Sequence, residues 1–308
     1  MTQAAAQSSA STTADVIVVG AGPAGSSAAY HMATLGLDVI LLEKQELGRD
    51  KVCGDGLTPS AVRELVSMGV DTSGWQHNRG LRVIGGGHLL HFPWPEQASF
   101  PSYGMARPRA LLDRDLAEHA AAAGARLLTG VTVTGPVTSP TGRVTGVEAR
   151  PTNRVAYPGI EAPTTFTAPL VIDAGGVSAR LATALGRTKN ERRPMGVAVR
   201  AYFRSPRAKD AWMESRLELW DGKPGKSDLL PGYGWIWSVG EGLVNVGLGS
   251  VSSRASATAI DYRAVFNRWM DNVPASWGFT KENQVGGLVS AALPMAFNRK
   301  PHYADGLM

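Results

Sequence analysis

The alternation of apolar and polar positions changes its period near residue 195. Before that point the chain carries short, wholly apolar runs. Val16–Val19 and Val39–Leu42 are unbroken stretches of Val, Ile and Leu, which is how strands buried on both faces of a parallel sheet read. A third such run, Leu170-Val171-Ile172, follows Pro169. Helical spacing lies between them. One helix opens at about Pro23, and Leu112, Leu116 and Ala120 mark a face of another that stops at Gly124. A shorter helix is predicted over 61–68 with Ser60 as its cap. Residues 81–92 read as two strands about a glycine turn, and 126–129 and 144–148 as strands between Gly/Pro/Ser/Thr turns. Beyond residue 195 the period becomes two over 196–203, 215–220, 235–239 and 243–250. That predicts an antiparallel sheet packed on one face. The helix Tyr262–Met270 then carries Val265, Phe266 and Trp269 toward a core.

The first apolar run leads into Gly20-Ala21-Gly22-Pro23-Ala24-Gly25. In a strand–turn–helix of this kind Gly20 allows the sharp turn, Gly22 lets the backbone approach a pyrophosphate, and Gly25 lets the helix lie close on the strand. The helix N-terminus adds free N–H groups and the positive end of its dipole. With 36 glycines in the chain the motif alone is weak. The second apolar strand, ending in Glu43-Lys44, strengthens it. Glu43 stands at about the spacing at which such folds place an acid on ribose hydroxyls. No Arg follows it directly, which favours an unphosphorylated adenosine ribose, as in FAD or NAD, over NADP.

Composition narrows the class without deciding it. The 308 residues suggest one large or two medium domains. An apolar share of 44% and a charged share of 19% describe an ordinary globular chain. The net charge of +5 comes from scattered Lys and Arg rather than blocks. It suits an anionic cofactor or membrane surface and gives no sign of a nucleic-acid partner. The one cysteine, Cys53, excludes a disulfide framework and fits a reducing cytoplasm. Residues 1–13 read as a flexible tail rather than a signal peptide, and no apolar run is long enough to span a bilayer. His88 and His91 lie in the expected hairpin, where they would not share a face, so no metal site is expected.

Three further stretches carry candidate chemistry. Lys51-Val52-Cys53-Gly54-Asp55-Gly56-Leu57-Thr58-Pro59 is a Gly-rich loop that either lies against a flat ligand or is a plain connection with a buried Cys acting as a small hydrophobe. Arg107 and Arg109, just ahead of a helix, either reach a phosphate or form a solvated surface pair. Tyr233, Trp235 and Trp237 alternate along one predicted strand and so share a face, lining a pocket or filling a sheet core.

Together these residues resemble the geranylgeranyl reductase family: the Gly20–Gly25 turn, Glu43, the Cys53-Gly54-Asp55-Gly56 loop, the Arg107-Pro108-Arg109 helix entry, and Leu230-Pro231-Gly232-Tyr233-Gly234-Trp235-Ile236-Trp237 with Val244-Asn245-Val246-Gly247-Leu248-Gly249. The resemblance runs from about residue 14 to residue 308. It implies an α/β fold, a Rossmann-type FAD-binding domain with an inserted antiparallel-sheet substrate domain. The expected boundaries are 14–75 and 105–185 for the first domain, and 76–104 and 186–308 for the second, with the end of that stretch starting the return to the first domain. The implied activity is FAD-dependent reduction of prenyl-chain double bonds, in a geranylgeranyl lipid or a menaquinone side chain, with NADPH, NADH or another donor as reductant. Such an enzyme would be cytoplasmic, touching the inner face of the membrane peripherally. FAD would be held by Gly20, Ala21, Gly22, Pro23, Ala24, Gly25, Glu43, Lys44, Cys53, Gly54, Asp55, Gly56, Arg107, Asp173, Gly175 and Gly176. Cys53 and Asp55 are the candidate catalytic residues, and Tyr233, Trp235 and Trp237 the candidate pocket wall. An unactivated alkene has no carbonyl to accept charge, so proton delivery would be coupled to hydride transfer, with aromatic faces stabilising the developing cation.

The chain departs from the family at two places. The superfamily usually has Asp-Gly where Gly175-Gly176 stands, and the family usually has Phe-Pro near Trp237-Ser238. Alternative readings are a flavin-dependent monooxygenase or halogenase, and a non-catalytic flavin- or lipid-binding protein. The family also continues past the position of Met308 into a strand, a Gly-Asp turn and a long helix. The expectation is therefore a fragment, or a chain completed by another polypeptide, that binds FAD weakly by itself.

Overall fold

The computed structural model describes residues 11–152, 160, 162–186, 195–252, 260–294 and 303–308. In chain order the elements are β1 Val16–Val19, α1 Pro23–Thr34, β2 Val39–Leu42, β3 Gly56–Leu57, α2 Pro59–Ser67, β4 Gln76–Asn78, β5 Gly80–Gly85, β6 His88–Pro93, β7 Gly104–Ala106 and α3 Arg109–Ala122. There follow β8 Arg126–Leu128, β9 Val131–Thr138, β10 Val144–Pro151, β11 Thr164–Thr167, β12 Leu170–Asp173 and α4 Leu181–Ala184. The last group is β13 Met195–Arg204, β14 Trp212–Arg216, β15 Leu219–Trp220, β16 Leu229–Leu230, β17 Gly232–Gly240, β18 Leu243–Ser252, α5 Tyr262–Met270 and β19 Gln284–Pro294. The chain divides into two units: residues 1–49, 110–191 and 298–308, and residues 50–109 and 192–297.

The first unit is built on a parallel sheet of order β12-β1-β2-β8. Alternation along its apolar strands sends side chains to two separate cores. Val16, Val18, Val39 and Leu41 pack with Ala29 of α1 and with Ala117 and Ala120 of α3. Ile17, Ile40 and Leu42 pack with Val144, Val147 and Phe166 from a second, antiparallel sheet of order β11-β10-β9. Each of the buried Val, Ile, Leu and Phe side chains among them contributes about 1.5–3 kcal/mol. Both faces of β1 and β2 are therefore covered, which is why their sequences carry no polar alternation. Residues 306–308 run parallel beside β12: Val171 donates its N–H to Gly306 at 2.9 Å and accepts from the Met308 N–H at 2.9 Å.

The second unit is built on a seven-stranded sheet of order β19-β13-β18-β17-β14-β5-β6, antiparallel except where β5 runs parallel to β14. Strand β6 is an edge, with Leu89, Leu90 and Phe92 each about half exposed. A small sheet of order β3-β7-β4 and the ribbon β15–β16 complete it.

Several expectations need correction. The large sheet is packed on both faces, not one. On one face Val199, Ile236, Val246 and Leu248 meet Val265, Phe266 and Trp269 of α5. On the other, Ala198, Met213, Trp235, Trp237 and Val239 form a separate cluster with Ala106. The stretch read as one strand over 215–220 is two, because Leu217 leaves the β14–β17 pairing and donates its N–H to Ile84. Helix α2 begins at Pro59, whose fixed φ suits the first helical position, so Thr58 and not Ser60 stands at the cap. Strands β9, β11 and β19 were not foreseen: in β9 the Val/Thr alternation of Val131–Thr134 is cut by Gly135 and Pro136, and the sequences of β11 and β19 carry no sustained apolar period. Residues 50–75 and 105–109 group with the second unit, because the Cys53 loop is bonded to β13, β17 and β18. Residues 298–308 group with the first. Of the expected tail, residues 11–13 are tied down: Arg126 donates to the carbonyls of Ser11 and Thr13 and pairs with Asp38. Residues 1–10 lie outside the described set. Among the described residues no helix is long and apolar enough to cross a membrane.

Candidate functional site

In the first unit the turn after β1 is shaped by bare backbone. Gly20 has φ +101°, and a Cβ on Gly25 would stand 1.9 Å from the Gly20 carbonyl oxygen. Only glycine lets α1 start that close to the strand. Gly22 occupies the cap of α1 in an extended conformation, Pro23 is the first helical residue, and no acid lies in the first turn. The helix therefore carries no acid of its own against the positive end of its dipole.

Glu43, at the end of β2, is half-buried. Its Oε2 accepts the Ala21 N–H at 2.9 Å and its Oε1 the Gln45 N–H at 3.0 Å. The carboxylate thus braces the Gly turn from the neighbouring strand. Lys44 beside it is exposed. At the end of β12, Asp173 accepts the Gly175 N–H through Oδ1 at 3.2 Å. An acid is therefore present next to the Gly175-Gly176 turn although it lies two positions earlier than in the family pattern. A glycine cradle, an open helix N-terminus and a braced acid fit a dinucleotide with a diphosphate and a free ribose.

In the second unit the Cys53 loop lies on the large sheet, and Asp55 is its centre. Asp55 is 1% exposed and has φ +63°, a left-handed conformation unusual outside glycine. Its Oδ2 accepts the Tyr202 hydroxyl at 2.6 Å and the Asn245 amide at 2.7 Å, and its Oδ1 accepts the Arg109 N–H at 3.0 Å. Its backbone carbonyl accepts the Arg107 N–H at 3.0 Å, and its own N–H donates to Cys53 Sγ at 3.3 Å. Burial pushes the Asp55 carboxyl up to about 6, against the opposing pull of Tyr202, Asn245 and the Arg200 charge. The Tyr202 phenol is pushed above its ordinary range by burial and by the Asp55 charge.

The rest of the loop is held as firmly. Asn245 also donates to the Cys53 carbonyl at 2.9 Å and accepts Trp235 Nε1 at 2.8 Å. Trp237 donates Nε1 to the Gly54 carbonyl at 2.6 Å, and a Cβ on Gly54 would stand 2.7 Å from the Trp237 ring. Register explains the convergence. Tyr202 pairs with Asn245, and Trp237 with Asn245, across neighbouring strands, so all three project from the same face. Arg200, also on that face, is 1% exposed, pairs with Asp50, donates to the Lys51 carbonyl at 3.1 Å, and lies 4.0 Å over the Tyr202 ring. The Arg107 guanidinium stacks on Trp75 at 5.2 Å.

Tyr233, Trp235 and Trp237 form a row with ring centroids 5.9 and 6.0 Å apart. The row runs from buried to open: Trp237 is 9% exposed, Trp235 4% and Tyr233 44%. The structure brings Cys53, Gly54, Asp55, Trp235 and Trp237 into one bonded cluster. It adds Tyr202 and Arg200, which sequence reasoning missed, and Asn245, which stood in a motif with no role assigned to it. The signal for them was present: polar Arg200 and Tyr202 alternate with apolar Val199, Ala201 and Phe203, a pattern that reads as a solvent face.

The strand–Gly turn–helix with its braced acid defines the first unit as a dinucleotide-binding Rossmann unit. Residues 13–258 match the FAD binding domain family, and the chain belongs to that family. It is 38% identical over 288 residues to the menaquinone reductase of Mycolicibacterium smegmatis, an alignment covering 92% of this chain and 66% of that relative. The chain thus spans just under two thirds of that protein's length. A geranylgeranyl bacteriochlorophyll reductase-like protein from Thermoplasma acidophilum superposes with a TM-score of 0.76 at 25% identity, covering 96% of this chain and 70% of that one. The myxobacterial chondrochloren halogenase superposes with a TM-score of 0.73 at 21% identity, covering 96% and 67%. That likeness shows the fold alone.

Proposed function

We propose that the chain acts in FAD-dependent reduction of isoprenoid carbon–carbon double bonds, with a menaquinone side chain or geranylgeranyl lipid as the substrate class. The observation that carries this reading is the bonding of the Cys53-Gly54-Asp55-Gly56 loop to an aromatic row that opens to solvent at Tyr233, in a chain 38% identical to a menaquinone reductase. Gly20 to Gly25 would hold the diphosphate, Glu43 the adenosine ribose, and Lys44, Arg107, Asp173, Gly175 and Gly176 the rest of the cofactor. When bound and reduced, FAD supplies a hydride equivalent. The protein's share is to exclude water, to shape the pocket and to deliver a proton. Tyr233, Trp235 and Trp237 present π faces that stabilise cationic character by about 0.5–2 kcal/mol each. Cys53 and Asp55 are the proton-handling groups in this reading. The lipid would be drawn from a membrane by peripheral contact.

The test is anaerobic. Purified chain is loaded with FAD, reduced chemically and mixed with a prenylated quinone, and products are read by mass spectrometry. Gain of two hydrogens in the side chain, with reoxidation of the flavin, supports the reading. Reoxidation only by oxygen, with an unaltered lipid, counts against it.

A further inference from the structure

We infer that Tyr202 and Asn245 are positioning residues that fix the Cys53 thiol by clamping Asp55 in its left-handed turn. Tyr202 stands in no motif, Asn245 stands in the Val244–Gly249 motif without a role assigned to it, and neither is among the groups proposed above to touch cofactor or lipid. The chain of contacts is short. Tyr202 and Asn245 hold one carboxylate oxygen of Asp55, and the Arg109 N–H holds the other. With the carboxylate fixed and φ at +63°, the Asp55 N–H is turned back onto Cys53 Sγ. The carbonyls of Cys53, Gly54 and Asp55 are taken by Asn245, Trp237 and Arg107. Three successive carbonyls and one amide of a four-residue loop are thus committed. A non-glycine residue held in the left-handed region persists only where its surroundings over-determine it. Here Asn245 does so twice, joining side chain and backbone of the same loop through one amide group. Arg200 backs the clamp from beneath Tyr202, and Asp50 balances its charge.

The inference uses the reductase reading only to give the thiol a purpose. Its test needs no turnover, so the two can fail separately. Cys53 is the one cysteine in the chain, so a thiol reagent reports on this loop alone. The probe is methyl methanethiosulfonate, with the rate of modification followed by mass spectrometry. Tyr202→Phe and Asn245→Ala are each expected to raise the rate about tenfold by freeing the loop. Asp55→Gly is the decisive variant: glycine keeps the left-handed turn but loses the carboxylate, and the rate should rise as much. Val265→Ala, on the opposite face of the sheet, should lower the melting temperature and leave the rate within about twofold of the unaltered chain. An Asp55→Gly rate equal to that of the unaltered chain would overturn the inference, as would a Val265→Ala rate raised to match Tyr202→Phe. Should the variants fail to fold, hydrogen exchange in the unaltered chain decides. Protection of residues 54–57 comparable to β17 supports the clamp, and exchange at the rate of an open loop overturns it.

Discussion

The two candidate regions are built in opposite ways. The glycine turn of the first unit is made by neighbours. Strand, turn and helix follow one another, and the acid that braces them is 22 positions away. The Cys53 loop is made by strangers: Tyr202 and Asn245 lie 147 and 190 positions from Asp55. The first region depends on the absence of side chains at Gly20 and Gly25. The second depends on the presence of particular polar atoms. A local site is a motif, readable wherever it occurs. A non-local one exists only when two strands are in register.

The sharpest way to break the first region is to fill it. Gly25→Val drives its Cβ far inside van der Waals contact of the Gly20 carbonyl oxygen, and the destabilisation should exceed about 4 kcal/mol, a large share of a domain's total. Loss of soluble protein, or of flavin from what remains, is the expected outcome. Normal yield with the unaltered flavin ratio would show that α1 can back away from β1.

In the second region the largest effect should come from Trp237→Ala, which removes a buried ring and orphans the Gly54 carbonyl. A loss of about 3–5 kcal/mol is expected from denaturant unfolding. A loss below about 1 kcal/mol would mean the loop rests on Asp55 alone.

Titration separates the regions further. Burial holds the folded-state value of Asp55 near 6, above the ordinary carboxylate value of 3.8. The stability from this group is therefore fully present below about pH 3.8 and is lost as pH rises through about 6. Asp55→Asn abolishes that titration. The stability of the unaltered chain relative to Asp55→Asn should fall by about 3 kcal/mol between about pH 4 and pH 7. A flat difference would place the Asp55 carboxyl in water.

The smallest effect is expected at Glu43. Glu43→Gln keeps one acceptor for the Ala21 N–H, so stability should change by about 1 kcal/mol or less. FAD affinity should fall about tenfold if the acid also meets the ribose, as a hydrogen bond to a charged group would give. An unaltered FAD affinity would confine Glu43 to bracing the turn.

Much of the first unit was legible because its strands are buried on both faces and its helices follow Gly and Pro punctuation. Val16–Val19, Val39–Leu42 and the Leu112–Leu116–Ala120 face all sit where their pattern puts them. The antiparallel strands of the second unit were legible as strands, but not for what covers them. Arg200 and Tyr202 looked like an outward face because alternation reports only that two faces differ. What lies over the polar one is a loop 150 residues earlier in the chain, and no periodicity can announce it. Short β3, β4 and β7 escaped for the same reason: they are strands only because they pair with each other.

The edge strand β6 reads His-Leu-Leu-His-Phe-Pro, and it holds no Lys, Arg, Asp or Glu. Among the described residues no strand lies beside its outer backbone groups, and Leu89, Leu90 and Phe92 stand half in water. Natural sheets usually guard such a border with a formal charge or a bulge. Here Pro93 closes one end and the glycine turn the other, leaving the five residues His88–Phe92 able to template a strand from another copy. Concentrated solutions of the chain should therefore self-associate by sheet extension, and Leu90→Lys should raise the concentration at which that begins.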